Sequence, residues 1–415
     1  MASKTIQIAD KPTLDRIAHA VGVAENKIYG LKINKKGSNP ATRCEYLMDA
    51  VGMTPAKMNF TTGEFEYGDW ADVWFVKDNF PCMMLANGTI DYKLDPNDYS
   101  KKEDGTTDSD IANTSYAGNA MSAMPLVWIK QYETGNYKYI YLANYKVDEG
   151  YHAFAHTDAN GDVKNYMFMS IFKGAQVGST TTLRSLSGLQ PMYSKTAENE
   201  ITYAVANGSG WFTKTWAQRN LMQCLCRMIF CNDNSQSVLG NGNLNYDSSA
   251  SPTCGVLKTG TLNDKGQFWG ANDNTHQVKA FHQEAVWGDQ WDRIAGLVND
   301  NGVIRAKMTF PYPTSALTTK ATFEHYDVVG YTPQGTSGGY INDTQMSEYG
   351  DIPYKASGSS STYECDGLWF NNGQLNYALV GGACHGDSLC GLFCLSLNCT
   401  ASDAAWTIGA SLSYT

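Results

Sequence analysis

The sequence predicts an α+β fold in which one long helix and several strands support long irregular loops. An apolar stripe with helical period runs from about Thr213 to Cys231. Two alternating segments, Val127 to Tyr132 and Tyr137 to Leu142, flank a short turn, as paired strands do. Glycine, asparagine, serine and threonine dominate Ser237 to Gly266 and Thr332 to Thr362, which indicates loops. Together these features favour an elaborated α+β domain.

A short amphipathic helix is predicted near the N-terminus, within an attachment segment of residues 1–36. Asp10 can cap it, Pro12 fits its first turn and Gly22 can end it. A helix this short is stable only with partners. We therefore expect the segment to bind another chain or another copy of this one. Its apolar stripe comprises Leu14, Ile17, Ala18 and Val21.

A mainly β section is predicted for residues 37–120, after a polar boundary at Gly37 to Pro40. It begins with a short helix over Tyr46 to Gly52 and continues with the bulky residues of Trp70 to Val76. Asn87-Gly88 is a hairpin signal between two apolar runs. The remainder, residues 121–415, is predicted to be the main domain, with a variable segment at 381–407.

Charge and hydropathy exclude two classes of partner. The net charge of -10 argues against nucleic acid, because binding to phosphates requires clustered lysine and arginine. No run approaches the length of a membrane span, and the first residues lack a signal peptide, so we expect cytoplasmic synthesis and no membrane insertion. The 25 tyrosines suit either a recognition surface or simply a strand-rich fold.

Eleven cysteines in a chain without a signal peptide should be reduced thiols. Cys224 and Cys226 lie two residues apart on the predicted helix, so they face opposite ways and are interpreted as packing residues. Two acidic loops, Asp95 to Asp110 and Asp158 to Asp162, lack the glutamate of a calcium-binding EF-hand, and the second is typical of a hairpin turn. We predict no cofactor, with bound calcium as the alternative.

The final stretch, Gly381 to Tyr414, combines a regular frame with irregular positions between its members. It contains four cysteines and no lysine, arginine, glutamate, glutamine, methionine or proline. The frame is predicted to be a scaffold, in which Phe393, Trp406 and Leu412 are buried. Its members are apolar, aromatic or glycine: Gly381, Gly382, Gly391, Phe393, Trp406, Gly409 and Leu412.

This frame, written GG, GLF and W-x-IGASLSY, resembles the C-terminal variable segment of bacteriophage proteins that are diversified by retroelements. Other blocks, from about Tyr29 onward, are similar to tail adhesins of phages that infect gut bacteria; they include NTSYAGNAMSA, LNDKGQFWG and EAVWGDQWDRI. The resemblance implies a C-type-lectin domain of the formylglycine-generating-enzyme type. It also implies a non-enzymatic protein of the virion, assembled in the host cytoplasm, that binds a bacterial surface receptor.

Retroelements of this family rewrite adenines, so asparagine codons can become a restricted set of other codons. The resemblance therefore implies that the cysteines are diversified contact residues. It further implies a protein or glycan receptor, a homotrimer, and contacts with other tail proteins through the N-terminal segment. The predicted receptor-binding positions are Ala383, Cys384, His385, Asp387, Ser388, Leu389, Cys390, Cys394, Ser396, Cys399 and Thr400.

Several alternatives stay open at this point. The same segment could hold a metal through Cys384, His385, Cys390, Cys394 and Cys399, although it lacks the close cysteine pairs of structural zinc sites. The lectin-like fold also hosts cysteine-dependent oxidation. A structural virion component, such as a head fibre or tail protein, and a tailspike glycan hydrolase are the other candidates. Trp287 and Trp291 are interpreted as packing residues rather than ligand contacts.

Overall fold

A computed structural model describes residues 25–317, 325–332 and 336–415 of the chain. It is mostly β, with 35% strand and 10% helix, so the predicted α+β class is wrong. The predicted N-terminal helix lies outside the described residues. No helix in the described ranges is long and apolar enough to cross a membrane.

Four α-helices and 23 strands occur within the described residues. The helices are α1 (Trp74–Lys77), α2 (Ala197–Val205), α3 (Trp216–Phe230) and α4 (Ser235–Leu239). The first strands are β1 (Ile28–Asn34), β2 (Cys44–Met48), β3 (Lys57–Asn59), β4 (Glu64–Glu66), β5 (Phe80–Leu85), β6 (Ile90–Lys93), β7 (Gly118–Pro125), β8 (Trp128–Thr134), β9 (Tyr137–Ala143), β10 (Tyr166–Ser170) and β11 (Trp211–Thr213). The others are β12 (Lys279–Ala280), β13 (Gln283–Glu284), β14 (Trp291–Asp300), β15 (Val303–Ala306), β16 (Asp327–Tyr331), β17 (Thr336–Ser347), β18 (Gly350–Ala356), β19 (Gly367–Asn371), β20 (Leu375–Val380), β21 (Leu395–Cys399), β22 (Ile408–Gly409) and β23 (Leu412–Tyr414).

Two segments account for much of the error in fold class. The predicted helix over Tyr46 to Gly52 is instead strand β2 followed by a turn, because β2 pairs along its length with β1. The predicted loop over Thr332 to Thr362 contains the antiparallel strands β17 and β18. Local composition reveals neither the pairing of β2 with β1 nor the pairing of β17 with its hairpin partner β18 and with the more distant β19.

The strands form three main sheets. A four-stranded sheet has the order β2-β1-β9-β8, and a six-stranded antiparallel sheet has the order β11-β23-β10-β7-β5-β6. The third sheet has the order β16-β15-β14-β20-β21-β19-β17-β18, and β22 pairs with β14 beside it. The predicted hairpins around Asn87-Gly88 and Glu133 to Asn136 are confirmed as β5-β6 and β8-β9.

The predicted division at residues 36 and 120 does not separate these sheets. Strand β1, from the predicted attachment segment, pairs with β9 over seven residues. The limit at residue 120 falls inside β7, and β7 pairs with both β5 and β10. A single apolar cluster joins the four-stranded sheet, α3 and the third sheet, through residues such as Leu31, Leu225 and Leu397.

Helix α3 confirms the predicted long helix, with Thr215 and Gln218 forming a capping box at its start. A helix with one apolar stripe is expected to turn its other side, which carries Lys214, Gln218 and Arg219, towards solvent, and this expectation is wrong for α3. Every residue of the helix is buried, including Gln218 and Arg219, while Lys214 precedes it and is half-buried. The polar side of the helix is covered by the loop that leads into β14 and by the C-terminal segment.

A cluster of six buried charges lies beside α3 and links it to two sheets. Arg227 is at its centre, with Nε 2.7 Å from Asp233 and Nη1 2.7 Å from Asp351. Lys138, on β9, lies 3.1 Å from Asp351, on β18. Because three cations face three carboxylates, the cluster is formally neutral. Its members are Arg43, Lys138, Arg227, Asp233, Asp351 and Glu364.

Candidate binding groove on the C-terminal segment

Polar side chains from α3 and α4 hold the backbone of the C-terminal segment at Leu392. Arg219 Nη2 donates to the Leu392 carbonyl over 2.5 Å, and Gln223 Nε2 donates to the same oxygen over 3.2 Å. The Leu392 N–H in turn donates to Ser235 Oγ over 3.0 Å. The buried polar groups of the helices therefore have a specific role, which is to fix this loop in place.

A second set of contacts fixes Gly391 and Phe393. The Phe393 N–H donates over 2.7 Å to the buried carboxylate of Asp366. A Cβ atom at Gly391 would lie 2.0 Å from Asp366 Oδ1, so this close approach requires glycine. The Phe393 ring is buried and packs 4.0 Å beneath the Arg227 guanidinium. Gly391 and Phe393 thus have the surroundings expected of scaffold residues.

The other predicted scaffold residues differ in their surroundings. Gly381, Gly382, Gly409 and Leu412 are buried. At Gly382, φ is +87° and a Cβ atom would lie 2.3 Å from Cys390 Sγ, so only glycine fits. Trp406 is half-buried at the surface, and the prediction that it is a core residue is wrong.

The eleven predicted receptor-binding positions divide according to burial. Exposed positions are His385, Asp387 and Ser388, and half-buried ones are Leu389, Cys399 and Thr400. Buried positions are Ala383, Cys384, Cys390, Cys394 and Ser396. The first two groups are therefore accessible from solvent, whereas the residues of the buried group contribute mainly to packing.

The cysteines of the C-terminal segment pack against neighbouring groups. All eleven cysteines of the chain are free thiols. Cys384 Sγ lies 3.5 Å from the Cys254 carbonyl, and Cys390 Sγ lies 3.2 Å from the Ala383 carbonyl. Burial raises the pKa of Cys384 to about 12, which keeps the thiol protonated and unreactive at neutral pH. In the described ranges no three histidine, cysteine or carboxylate side chains are grouped to hold a metal ion.

A groove with a volume of about 400 Å³ opens at the surface of this segment. Trp291, from β14, and Trp369, from β19, both line it; their ring centroids are 5.7 Å apart and their planes meet at 84°. Both rings are half-buried, so Trp291 is not the core residue that the sequence suggested. The full lining is Trp291, Trp369, Leu379, His385, Gly386, Asp387, Leu389, Ser396, Asn398, Cys399, Thr407 and Ile408.

A second aromatic group adjoins the groove at His385. The centroid of the imidazole lies 5.5 Å from that of Trp406 and 6.3 Å from that of Tyr246, and the two larger rings stack at 5.7 Å. Tyr246 is 50% exposed, so this group forms part of the accessible surface. Partial burial lowers the pKa of His385, which favours the neutral imidazole at neutral pH.

Replacing Trp406 by Ala should lower the free energy of unfolding by only about 1 kcal/mol, because the ring is half-buried and packs on an exposed tyrosine. The same substitution at Trp287, which is fully buried and donates to the Gly240 carbonyl, should cost more. Urea unfolding of both variants measures the difference. Equal losses would mean that Trp406 is a core residue after all.

Several groove residues were missed in the sequence. Trp369 follows the alternation of β19, where Leu368 and Phe370 are buried on the opposite side, so an outward tryptophan could have been inferred there. Trp291 was assigned to packing instead, and Leu379 carries no such signal, because only the fold brings its strand to the groove. A comparison with protein-family models finds no match, and neither does a comparison with curated proteins.

Proposed function

We propose that this chain is a phage virion protein that binds a bacterial surface receptor through the groove and its rim. The observation that carries the proposal is that five predicted receptor-binding positions line one groove. These are His385, Asp387, Leu389, Ser396 and Cys399. A concave surface with aromatic walls and a few polar groups is the usual form of a ligand site.

The arrangement of fixed and free positions supports the same proposal. The backbone at Leu392 and Phe393 is held by four side chains that do not reach the groove. Side chains at the rim can therefore change without loss of the fold, as retroelement diversification requires. The proposal includes this diversification, a trimer, and attachment through the N-terminal segment. Many copies on one particle would strengthen a weak individual contact.

The residues that line the groove favour binding without catalysis. Asp387 is the one carboxylate among the described residues that line the groove, whereas glycoside hydrolysis ordinarily uses a pair of carboxylates. Oxidation by a cysteine would need an accessible thiolate, and burial raises the pKa of Cys399, the cysteine in the lining. We therefore propose a receptor-binding protein rather than an enzyme.

Replacing His385, Asp387 and Leu389 together by Ala should abolish or redirect binding to bacterial cells and leave the fold intact. All three are exposed or half-buried, so the change in stability should stay below about 2 kcal/mol. Flow cytometry of the labelled full chain on a panel of gut bacterial strains measures binding, and thermal unfolding measures folding. The pair Val51→Ala and Asp72→Ala, exposed residues outside the groove, is the control. Unchanged binding by the triple variant would refute the site.

A further inference from the structure

We infer that the ligand of the groove is a neutral saccharide. This inference rests on the proposed function and adds the chemical class of the receptor. It follows from three properties of the described lining: its aromatic walls, its polar side chains and its charge. A fourth property, the pairing of the longer strands at the groove on both of their sides, favours a saccharide over a peptide.

The aromatic walls suit a ring that has one apolar face. Trp291 and Trp369 stand nearly perpendicular, at 84°, so they form two sides of a corner. Leu379 and Ile408 also line the groove. A pyranose ring presents C–H groups on its faces and hydroxyl groups around its edge. Its C–H groups can pack on the indole rings while its edge remains available for hydrogen bonds.

The polar side chains of the lining suit hydroxyl groups. Asn398 Oδ1 accepts from Ser396 Oγ over 2.6 Å and from Cys399 Sγ over 3.4 Å, which orients the carboxamide. Its amide N–H groups are donors, and the exposed Asp387 carboxylate is an acceptor. A hydroxyl group donates and accepts, so a sugar can use both kinds of partner.

The charge of the lining disfavours an anionic ligand. Neither lysine nor arginine is among the described residues that line the groove, and Asp387 contributes a negative charge. The neutral form of His385 adds no positive charge at neutral pH. Phosphate, sulfate and carboxylate groups are ordinarily held by arginine or lysine. A neutral glycan therefore fits this lining better than an acidic one.

Four of the strands that contribute residues to the groove, β14, β19, β20 and β21, offer no free edge to an extended peptide. The two-residue strand β22, which contributes Ile408, pairs with β14 alone. Strand β21 pairs with β20 on one side and with β19 on the other, and β14 pairs with β20 and β15. A peptide lying along these four strands could not join the sheet, so its own N–H and C=O groups would have to find other partners. A saccharide carries its polar groups on its periphery and has no such requirement.

The test uses the full chain and an array of immobilised glycans that end in neutral hexoses, N-acetylhexosamines, sialic acid or glucuronic acid. We expect binding to one or more neutral glycans. Asn398→Asp, which replaces donors with a charged acceptor, should weaken this binding at least about tenfold. Asn272→Asp makes the same change at an exposed position outside the lining and should have no effect. Circular dichroism confirms that both variants fold.

Cell binding separates failure of this inference from failure of the proposed function. Some bacterial strains will bind the full chain. Periodate oxidation of these cells should abolish the binding, whereas protease treatment of the same cells should not. Binding that resists periodate and is lost with protease would overturn the saccharide and leave receptor recognition standing. Preference for the acidic glycans, or equal binding by Asn398→Asp, would also overturn it. Binding to no strain would count against the proposed function itself.

Discussion

Replacing Arg227 by Met should lower the free energy of unfolding by about 3 to 5 kcal/mol. The substitution leaves three buried carboxylates, on Asp233, Asp351 and Glu364, with two cations instead of three. A buried charge that loses its partner keeps the full cost of desolvation and loses the attraction that offset it. Methionine has a similar volume, so the loss reflects charge more than packing. Urea unfolding with an unchanged m value measures it.

The pH dependence gives this prediction a second readout. Burial alone would raise the pKa of Asp351, but Lys138 and Arg227 together hold that pKa below its ordinary value. The stability that this carboxylate contributes is therefore present above its unfolded pKa and lost as pH falls towards the folded pKa. In Arg227→Met the folded pKa should rise. The difference between the two proteins should be largest near neutral pH and shrink below about pH 4.

A surface ion pair is the control for Arg227. Lys101 lies 2.6 Å from Asp108, and the Asp108 side chain is 87% exposed. Lys101→Met should therefore change stability by less than about 1 kcal/mol. If Arg227→Met costs no more than this control, the cluster does not stabilise the junction between α3 and the two sheets. A constant difference across pH would contradict the electrostatic explanation specifically.

Elements with a strong local pattern were predictable from the sequence, whereas long-range pairings were not. Helix α3 has a capping box and an apolar stripe, and the β5-β6 hairpin has Asn87-Gly88. In contrast, β2 has apolar residues that suit a helix as well as a strand, and its pairing with β1 decides the outcome. The position of β23, between β11 and β10, likewise depends on residues far away in the chain.

The site shows the same distinction between local and long-range information. Composition separated scaffold from irregular positions, and Gly391 and Phe393 have the tight surroundings that a scaffold needs. Composition could not show which of the irregular positions are buried. Cys390 and Asp387 lie in the same irregular stretch of sequence, yet Cys390 is buried and Asp387 is exposed. The surface position of Trp406 also depends on Tyr246, which approaches from a distant loop. Residues contributed by other strands, such as Trp369, complete the groove.

Replacing Gly391 by Ala should lower the free energy of unfolding by about 3 kcal/mol and weaken the proposed receptor binding. The added methyl group would lie 2.0 Å from Oδ1 and 2.4 Å from Oδ2 of Asp366. Overpacking of a buried site typically costs 1 to 3 kcal/mol. Displacing the carboxylate would also lengthen or break the hydrogen bond that it accepts from the Phe393 N–H. A buried donor left without an acceptor costs about a further 1 to 3 kcal/mol.

A double-mutant cycle with Asp366→Ala tests the cause of this loss. Asp366→Ala alone should destabilise the chain, because the Phe393 N–H loses its acceptor. Once the carboxylate is gone, however, the methyl group of Gly391→Ala has room, and its additional cost should fall by at least about 1 kcal/mol. Gly373→Ala is the control, since its nearest neighbour would be 3.3 Å away. Additive losses would show that Gly391 and Asp366 act independently, and that the close approach at Gly391 does not hold the loop beneath the groove.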